Sequence, residues 1–202
     1  GSILNVDACE WDVLERFVDD LGTTGQISFE SVGSEETQEQ LKKLVKVAKN
    51  LGQKYDAVVT NPPYMGASGM GAKLSKYVKD NYSDSKSDLF AVFIEKCGHM
   101  AKKNGYQAMI TQHAWMFLSS FEKLRVKILE TDIVNMVHLG ARAFEEIGGE
   151  VVQTTSFILR KSHIADYKGK YCRLIDPVSQ QGKEEMFFAG ENRYIADQTN
   201  FS

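Results

Sequence analysis

Four consecutive residues, Asn61-Pro62-Pro63-Tyr64, are the part of this chain best suited to chemistry. They follow Asp56-Ala57-Val58-Val59-Thr60, a short apolar run of the kind that forms a strand buried on both faces. Proline cannot donate to a sheet ladder, so Pro62 must end the pairing, and each residue before a proline is held extended. Asn61 is therefore presented in a stiff shape at the carboxyl end of a central strand, where open α/β sheets bind ligands. The corner offers an amide oxygen, a carbonyl of fixed direction and a flat aromatic face, with no ionisable general base. A corner of this kind suits ligand binding. Taken alone, the tetrapeptide equally suits a rigid turn with an aromatic packed beside it. The strand before it and the helix–strand units after it favour a site.

No other cluster competes. Cys9, Cys97 and Cys172 are far apart and odd in number, and His99, His113, His138 and His163 lack ligand spacing, so no metal site is expected. Lys73, Lys76, Lys79 and Lys86 follow the corner, but Asp80, Asp84 and Asp88 lie among them. They read as a solvated mixed-charge loop rather than as phosphate contacts. His113 and Trp115, just after a strand, are placed along the cleft and outside the reaction.

The elements that must position the corner are legible from periodicity. Asp7 caps a helix through Trp11, Leu14, Phe17, Val18 and Leu21 that Gly22 stops, with Trp11 as core. A short extended stretch covers Ile27 to Val32. Ser34 caps a second helix with Leu41, Leu44, Val45, Ala48 and Leu51 on its apolar face and Lys42, Lys43, Lys46 and Lys49 on a solvated one. Met65 to Ser87 is rich in Gly, Ser and Lys and reads as a mobile loop with a short helix near Leu74 to Val78. Ser87 then caps a helix through Leu89, Phe90, Phe93, Ile94, Cys97 and Ala101, closed by Asn104-Gly105. Tyr106 to Thr111 is the next strand; a helix through Phe121, Leu124 and Ile128 leads to the strand Ile133 to Leu139. No ordinary helix fits between Leu139 and Val151, so the strand Val151 to Leu159 is an antiparallel neighbour of the one before it. A further strand runs from Tyr171 to Ile175. The fold class is α/β, the second half of a Rossmann-like sheet with parallel strands and a terminal antiparallel strand.

The 202 residues are 43% hydrophobic and 25% charged, ordinary values for a globular domain. There is no apolar run of membrane-spanning length and no basic-then-apolar start, so a cytoplasmic location is expected. The net charge of −3 and the missing basic stripe mean that any nucleic acid must be gripped mainly by other domains.

The tetrapeptide resembles the [DNS]-P-P-[YFW] motif of S-adenosylmethionine-dependent amino-methyltransferases of the Rossmann-like class, specifically the DNA adenine N6-methyltransferases. Ser87 to Phe117, SDLFAVFIEKCGHMAKKNGYQAMITQHAWMF, resembles the two segments that follow in that family. Leu139 to Lys161, LGARAFEEIGGEVVQTTSFILRK, resembles the adenine methylases tied to phage exclusion, the BREX type, and to fused restriction-modification enzymes. The likeness is good over residues 50 to 165 and weak at the flanks.

The resemblance implies catalytic roles for Asn61, Pro62, Pro63 and Tyr64. Adenine's exocyclic amine is a poor nucleophile, because its lone pair is delocalised into the ring. Two acceptors at the amine hydrogens, the Asn61 side-chain oxygen and the Pro62 carbonyl, would favour a tetrahedral nitrogen. Tyr64 would stack on a base flipped from the duplex, with Phe157 as candidate for its other face, although Phe157 also reads as an ordinary core residue on a strand. The cofactor implied is S-adenosyl-L-methionine in a full-length parent. The glycine-rich turn and strand-ending acidic residue of its site are not recognisable here, so no cofactor-binding residue is assigned. The chain is thus expected to be a partial catalytic domain over 1–165, with an extension over 166–202 leading toward a target-recognition domain. The partner implied is double-stranded DNA, held through the missing domains, together with restriction or defence-system subunits. A protein-glutamine or RNA amino-methyltransferase uses the same tetrapeptide, and a non-catalytic scaffold that binds nucleic acid or a partner is the remaining alternative.

Overall fold

The computed structural model describes residues 10–20, 34–144 and 152–201. The chain divides into two compact units, Gly1–Lys54 and Tyr55–Ser202. The tail beyond 165 is continuous with the main sheet, because its strands find partners there.

In the first unit, α1 (Trp11–Asp20) and α2 (Ser34–Gly52) follow the expected apolar spacing. Val18 and Val45 are buried, whereas Trp11 is only half-buried and Leu44 is exposed. Two of the lysines read as solvated hold α1 and α2 together. Lys42 pairs with Asp19 at 3.0 Å, and Lys49 pairs with both Asp12 and Glu15, at 3.1 and 2.7 Å. The stretch expected to be extended, 27–32, lies outside the described residues, as do Asp7 and Gly22.

The second unit is built on a six-stranded mixed sheet. Its strands are β1 (Tyr55–Thr60), β2 (Ala101–Gln112), β3 (Asp132–Gly140), β4 (Thr154–Arg160), β5 (Lys168–Arg173) and β6 (Arg193–Asp197), in the order β1-β2-β4-β3-β5-β6. β1 with β2 and β3 with β5 are parallel; β4 is antiparallel to both β2 and β3, and β6 is antiparallel to β5. The expected antiparallel strand therefore exists but is central, since it slots between β2 and β3 instead of closing an edge. Its start, expected at Val151, lies outside the described residues.

The helices are α3 (Ala72–Asn81), α4 (Leu89–Met100), α5 (Glu122–Leu129) and α6 (Gln180–Ala189). Phe90, Ala91, Ile94 and Cys97 of α4 and Leu124 and Ile128 of α5 pack on one face of the sheet, against Met109, Ile133, Met136, Phe157 and Leu159. The other face is met by α6. The Lys183 ammonium is buried there and donates to the carbonyls of Leu139 and Leu174, both at 2.7 Å. Burial lowers its pKa.

Two local corrections follow. β1 is not buried on both faces: Val59 is 75% exposed, because β1 is the outermost strand of this sheet and α4 covers only the side that carries Val58. Asn104-Gly105 does not close α4, which ends at Met100. It forms a turn within β2, with Asn104 at φ 63°, where the β1 partner jumps from Ala101 to Tyr106. A Cβ on Gly105 would come 3.0 Å from the carbonyl oxygens of Asp56 and Lys102, which explains the glycine.

Candidate active site

β1 pairs with β2 as far as Thr60 opposite Met109, and there Asn61 leaves the ladder. Pro62 is buried, while Asn61 and Pro63 are exposed. No described residue shares a hydrogen bond with the Asn61 side chain, and the residue is exposed at the carboxyl end of the strand. Tyr64 is half-buried on the core. Its ring meets Phe90 edge-on, and its hydroxyl is buried with no hydrogen-bond partner among the described residues. Burial raises the hydroxyl's pKa.

The segment after Tyr64 is more ordered than expected for a mobile loop. Gly66 and Asp88 form an antiparallel bridge, a short 3-10 turn spans Ala67–Gly69, and α3 follows. Met70, Val78, Tyr82 and Val92 form a small core of their own beneath it, with Leu74, Tyr77 and Leu89 packed against them. That apolar set escapes a periodicity search because Tyr82 and Val92 sit on either side of a polar turn. Lys73, Lys76, Lys79 and Lys86 are exposed. Lys76 pairs with Asp80 at 2.6 Å, and Asp84 pairs with Lys127 of α5 at 2.8 Å, a contact that lowers the Asp84 pKa.

Phe157 needs correction as a stacking partner. It is 0% exposed in the middle of β4, between Met109 and Met136 on the neighbouring strands, with Trp115 edge-on at 5.3 Å. A base cannot reach a ring whose every face is already packed. Trp115 lines a cavity together with Met116, Ile133 and Met136, but its own ring is almost wholly packed. Its Nε1 donates to the Thr111 hydroxyl at 3.1 Å.

Near the carboxyl ends of β2 and β3 the structure assembles a group that the sequence did not reveal. Nδ1 of His113 lies 2.8 Å from Nε2 of His138, and Phe117, 59% exposed, meets both rings at centroid distances of 5.3 and 5.7 Å. Burial lowers the pKa of both histidines, His138 to about 4, with His113, Arg173 and Lys183 adding to the effect on His138. β1, β2 and β3 run the same way, so this trio stands on the same end of the sheet as Asn61. The pairing depends on β4 lying between the two histidines' strands, and no local pattern announces that. Cys97 and Cys172 are buried free thiols, and burial pushes both up in pKa. Among the described residues no group of three or more His, Cys, Asp or Glu is arranged to hold a metal, and no helix is long and apolar enough to cross a membrane.

A family model described as Eco57I restriction-modification methylase matches residues 6–144. Over 209 aligned residues, 100% of the chain, the identity is 44% to the adenine-specific methyltransferase PglX of Lacticaseibacillus casei (strain Zhang), of which 17% is covered. Over 92% of the chain the identity is 39% to the adenine-specific methyltransferase BrxX of Escherichia coli O9:H4 (strain HS), of which 15% is covered. The chain thus spans about a sixth of the length of these relatives. A chain of the cryo-EM DrdV–DNA complex shares the fold, with a TM-score of 0.55 at 15% identity over 83% of this chain and 18% of that one. The family match includes the Asn61-Pro62-Pro63-Tyr64 corner and extends over more than half of the sequence, so the chain belongs to the Eco57I restriction-modification methylase family.

Proposed function

We propose that this chain is the base-binding half of the catalytic domain of a DNA adenine-N6 methyltransferase that acts in the cytoplasm, in restriction-modification or phage defence. The observation that carries this reading is the Asn61 side chain, exposed where β1 ends and free of hydrogen bonds to described residues, next to a buried Pro62. The relatives' names, both adenine-specific methyltransferases, favour adenine over a protein glutamine.

The chemistry follows from these groups. The Asn61 Oδ1 accepts one hydrogen of the adenine amine and the Pro62 carbonyl accepts the other. Both draw the nitrogen toward a tetrahedral shape, so its lone pair leaves conjugation with the ring. The backbone that carries both acceptors is held before the base arrives, because the proline ring and the β1–β2 ladder constrain it. The Pro62 carbonyl in particular has its direction set in advance, preorganisation that lowers the barrier. Tyr64 offers its exposed side to the base, an interaction worth roughly 1–3 kcal/mol against a flipping cost of a few kcal/mol. The amine is neutral, so its proton can leave after attack and no general base is required.

The described residues do not by themselves fit S-adenosylmethionine. β1 runs into two prolines, β2 into the 3-10 turn His113–Met116 and β3 into Gly140 and Ala141; none of these is a glycine-rich turn with an acidic partner on the next strand. Donor binding is assigned to the remaining length of the parent protein. Double-stranded DNA is the proposed substrate, gripped largely by those other parts, as a net charge of −3 requires.

The test uses the full-length parent. Adenine-containing duplex, RNA and a glutamine-bearing release factor are offered with labelled donor. Label is expected at adenine N6 of the duplex and is expected to fall at least about 100-fold in Asn61→Ala, with duplex binding retained. Undiminished methylation by Asn61→Ala, or label on RNA or protein alone, overturns the reading.

A further inference from the structure

A helix N-cap ordinarily satisfies one or two orphan N–H groups of its own first turn. Asp88, and not Ser87 as the sequence suggested, caps α4, and its carboxylate does more than that. One oxygen, Oδ1, accepts from the Phe90 N–H at 3.2 Å and also from the Met65 N–H at 3.0 Å. The second donor belongs to the peptide that leaves Tyr64. Around this double acceptor the backbone closes a clasp. The Leu89 N–H donates to the Met65 carbonyl at 2.9 Å, and the Ala67 N–H donates to the Ser87 carbonyl at 3.0 Å. Phe90, in the same first turn, carries the ring that meets Tyr64 edge-on at 6.1 Å. The ring of Tyr64 and the peptide after it are thus both referred to the start of α4, while the chain before Asn61 is referred to β2.

We propose that Asp88 is a positioning residue for the Asn61-Pro62-Pro63-Tyr64 corner. By holding the Met65 amide against α4 it fixes the exit of the corner, as the β1–β2 ladder fixes its entry. The inference rests on the methyl-transfer reading above. Displacement of about 1 Å in groups of this kind costs on the order of 100-fold in rate, so a corner fastened at one end only is a poorer catalyst even when the fold is intact.

Two substitutions separate the clasp from the cap. Asp88→Ser keeps a preferred N-cap hydroxyl for α4, but the shorter side chain cannot also reach Met65. Asp88→Asn keeps an oxygen at the position of Oδ1 and serves both donors. In the full-length parent, assayed at the same interval below each variant's own Tm, Asp88→Ser is expected to lower kcat about 10- to 100-fold while leaving KM for the duplex within about twofold. Asp88→Asn is expected to restore kcat to within about threefold of the parent. Hydrogen exchange at the Met65 amide reads the clasp directly: protected in the parent and Asp88→Asn, fast in Asp88→Ser. Parent-like kcat in Asp88→Ser, or a Met65 amide that stays protected there, overturns the proposal and leaves Asp88 a helix cap. A parent that does not methylate adenine sinks the reaction reading instead, and the exchange measurement still decides whether the clasp exists.

Discussion

The rings of Tyr64 and Phe90 lie edge to face, with centroids 6.1 Å apart and planes at 83°. The contact turns one side of Tyr64 toward the core and leaves its hydroxyl buried without a partner among the described residues. An unsatisfied buried hydroxyl is destabilising, whereas the ring contact stabilises. Tyr64→Phe is therefore expected to leave the Tm of this chain unchanged or to raise stability by about 1 kcal/mol. Tyr64→Ala is expected to cost roughly 1–3 kcal/mol through the lost packing. Thermal unfolding of the two variants checks this, and a clear loss in Tyr64→Phe would mean that the hydroxyl is bonded in solution.

The His113–His138 pair makes stability depend on pH in a defined window. Both folded-state pKa values lie below the ordinary 6.5, His138 at about 4, because burial disfavours the charged rings. The unfolded chain takes up these protons first as pH falls, so the contribution is complete above about 6.5 and is lost progressively toward 4. Tm is expected to be level near neutrality and to fall between those limits. His138→Gln should flatten that part of the profile. An unchanged slope in the variant would assign the loss to carboxylates.

Asp132 is buried yet charged. Burial alone would raise its pKa, but the Ser162 hydroxyl, the Ile164 N–H and Arg160 together lower it. Arg160 donates to Oδ2 through Nε and Nη2 at 3.1 and 2.9 Å, and the Ile164 N–H donates to Oδ1 at 2.8 Å. Asp132→Ala should cost about 3 kcal/mol, since it leaves these donors without their acceptor. A denaturant titration of this chain measures it. The native carboxylate's own contribution should hold above the ordinary value of 3.8 and disappear as pH falls below it.

Gly169 in β5 is required by contact. A Cβ there would strike the Ile133 carbonyl oxygen and come 2.8 Å from the Tyr171 hydroxyl. The first obstacle is backbone of the neighbouring strand, which cannot swing away. Gly169→Ala is expected to destabilise this chain by roughly 1–3 kcal/mol. Unfolding at the unsubstituted Tm would show that β3 and β5 can separate without cost.

The positions of α1, α2, α4, α5 and strands β1 to β5 were legible because each depends on local periodicity and punctuation. The corner was legible for a stronger reason: two adjacent prolines after an apolar run leave the backbone few alternatives. β5 was displaced toward its N-terminal side, from Tyr171–Ile175 to Lys168–Arg173, and α6 and β6 were missed. The Gln180–Ala189 segment has little one-sided apolar pattern, and exposed β6 is a strand only because β5 offers it an edge.

Local pattern ended where partners come from distant segments. Residue types fixed that Asn61 stands at a strand end and that Pro62 cannot pair. Tertiary structure alone decided that β4 inserts between β2 and β3, and this burial removes Phe157 from any base and brings His113 to His138. It also decided that Asp88, 23 residues beyond Met65, closes the corner. Side-chain period places a residue on a face, but which face is covered, and by what, is settled by contacts between segments far apart in the chain.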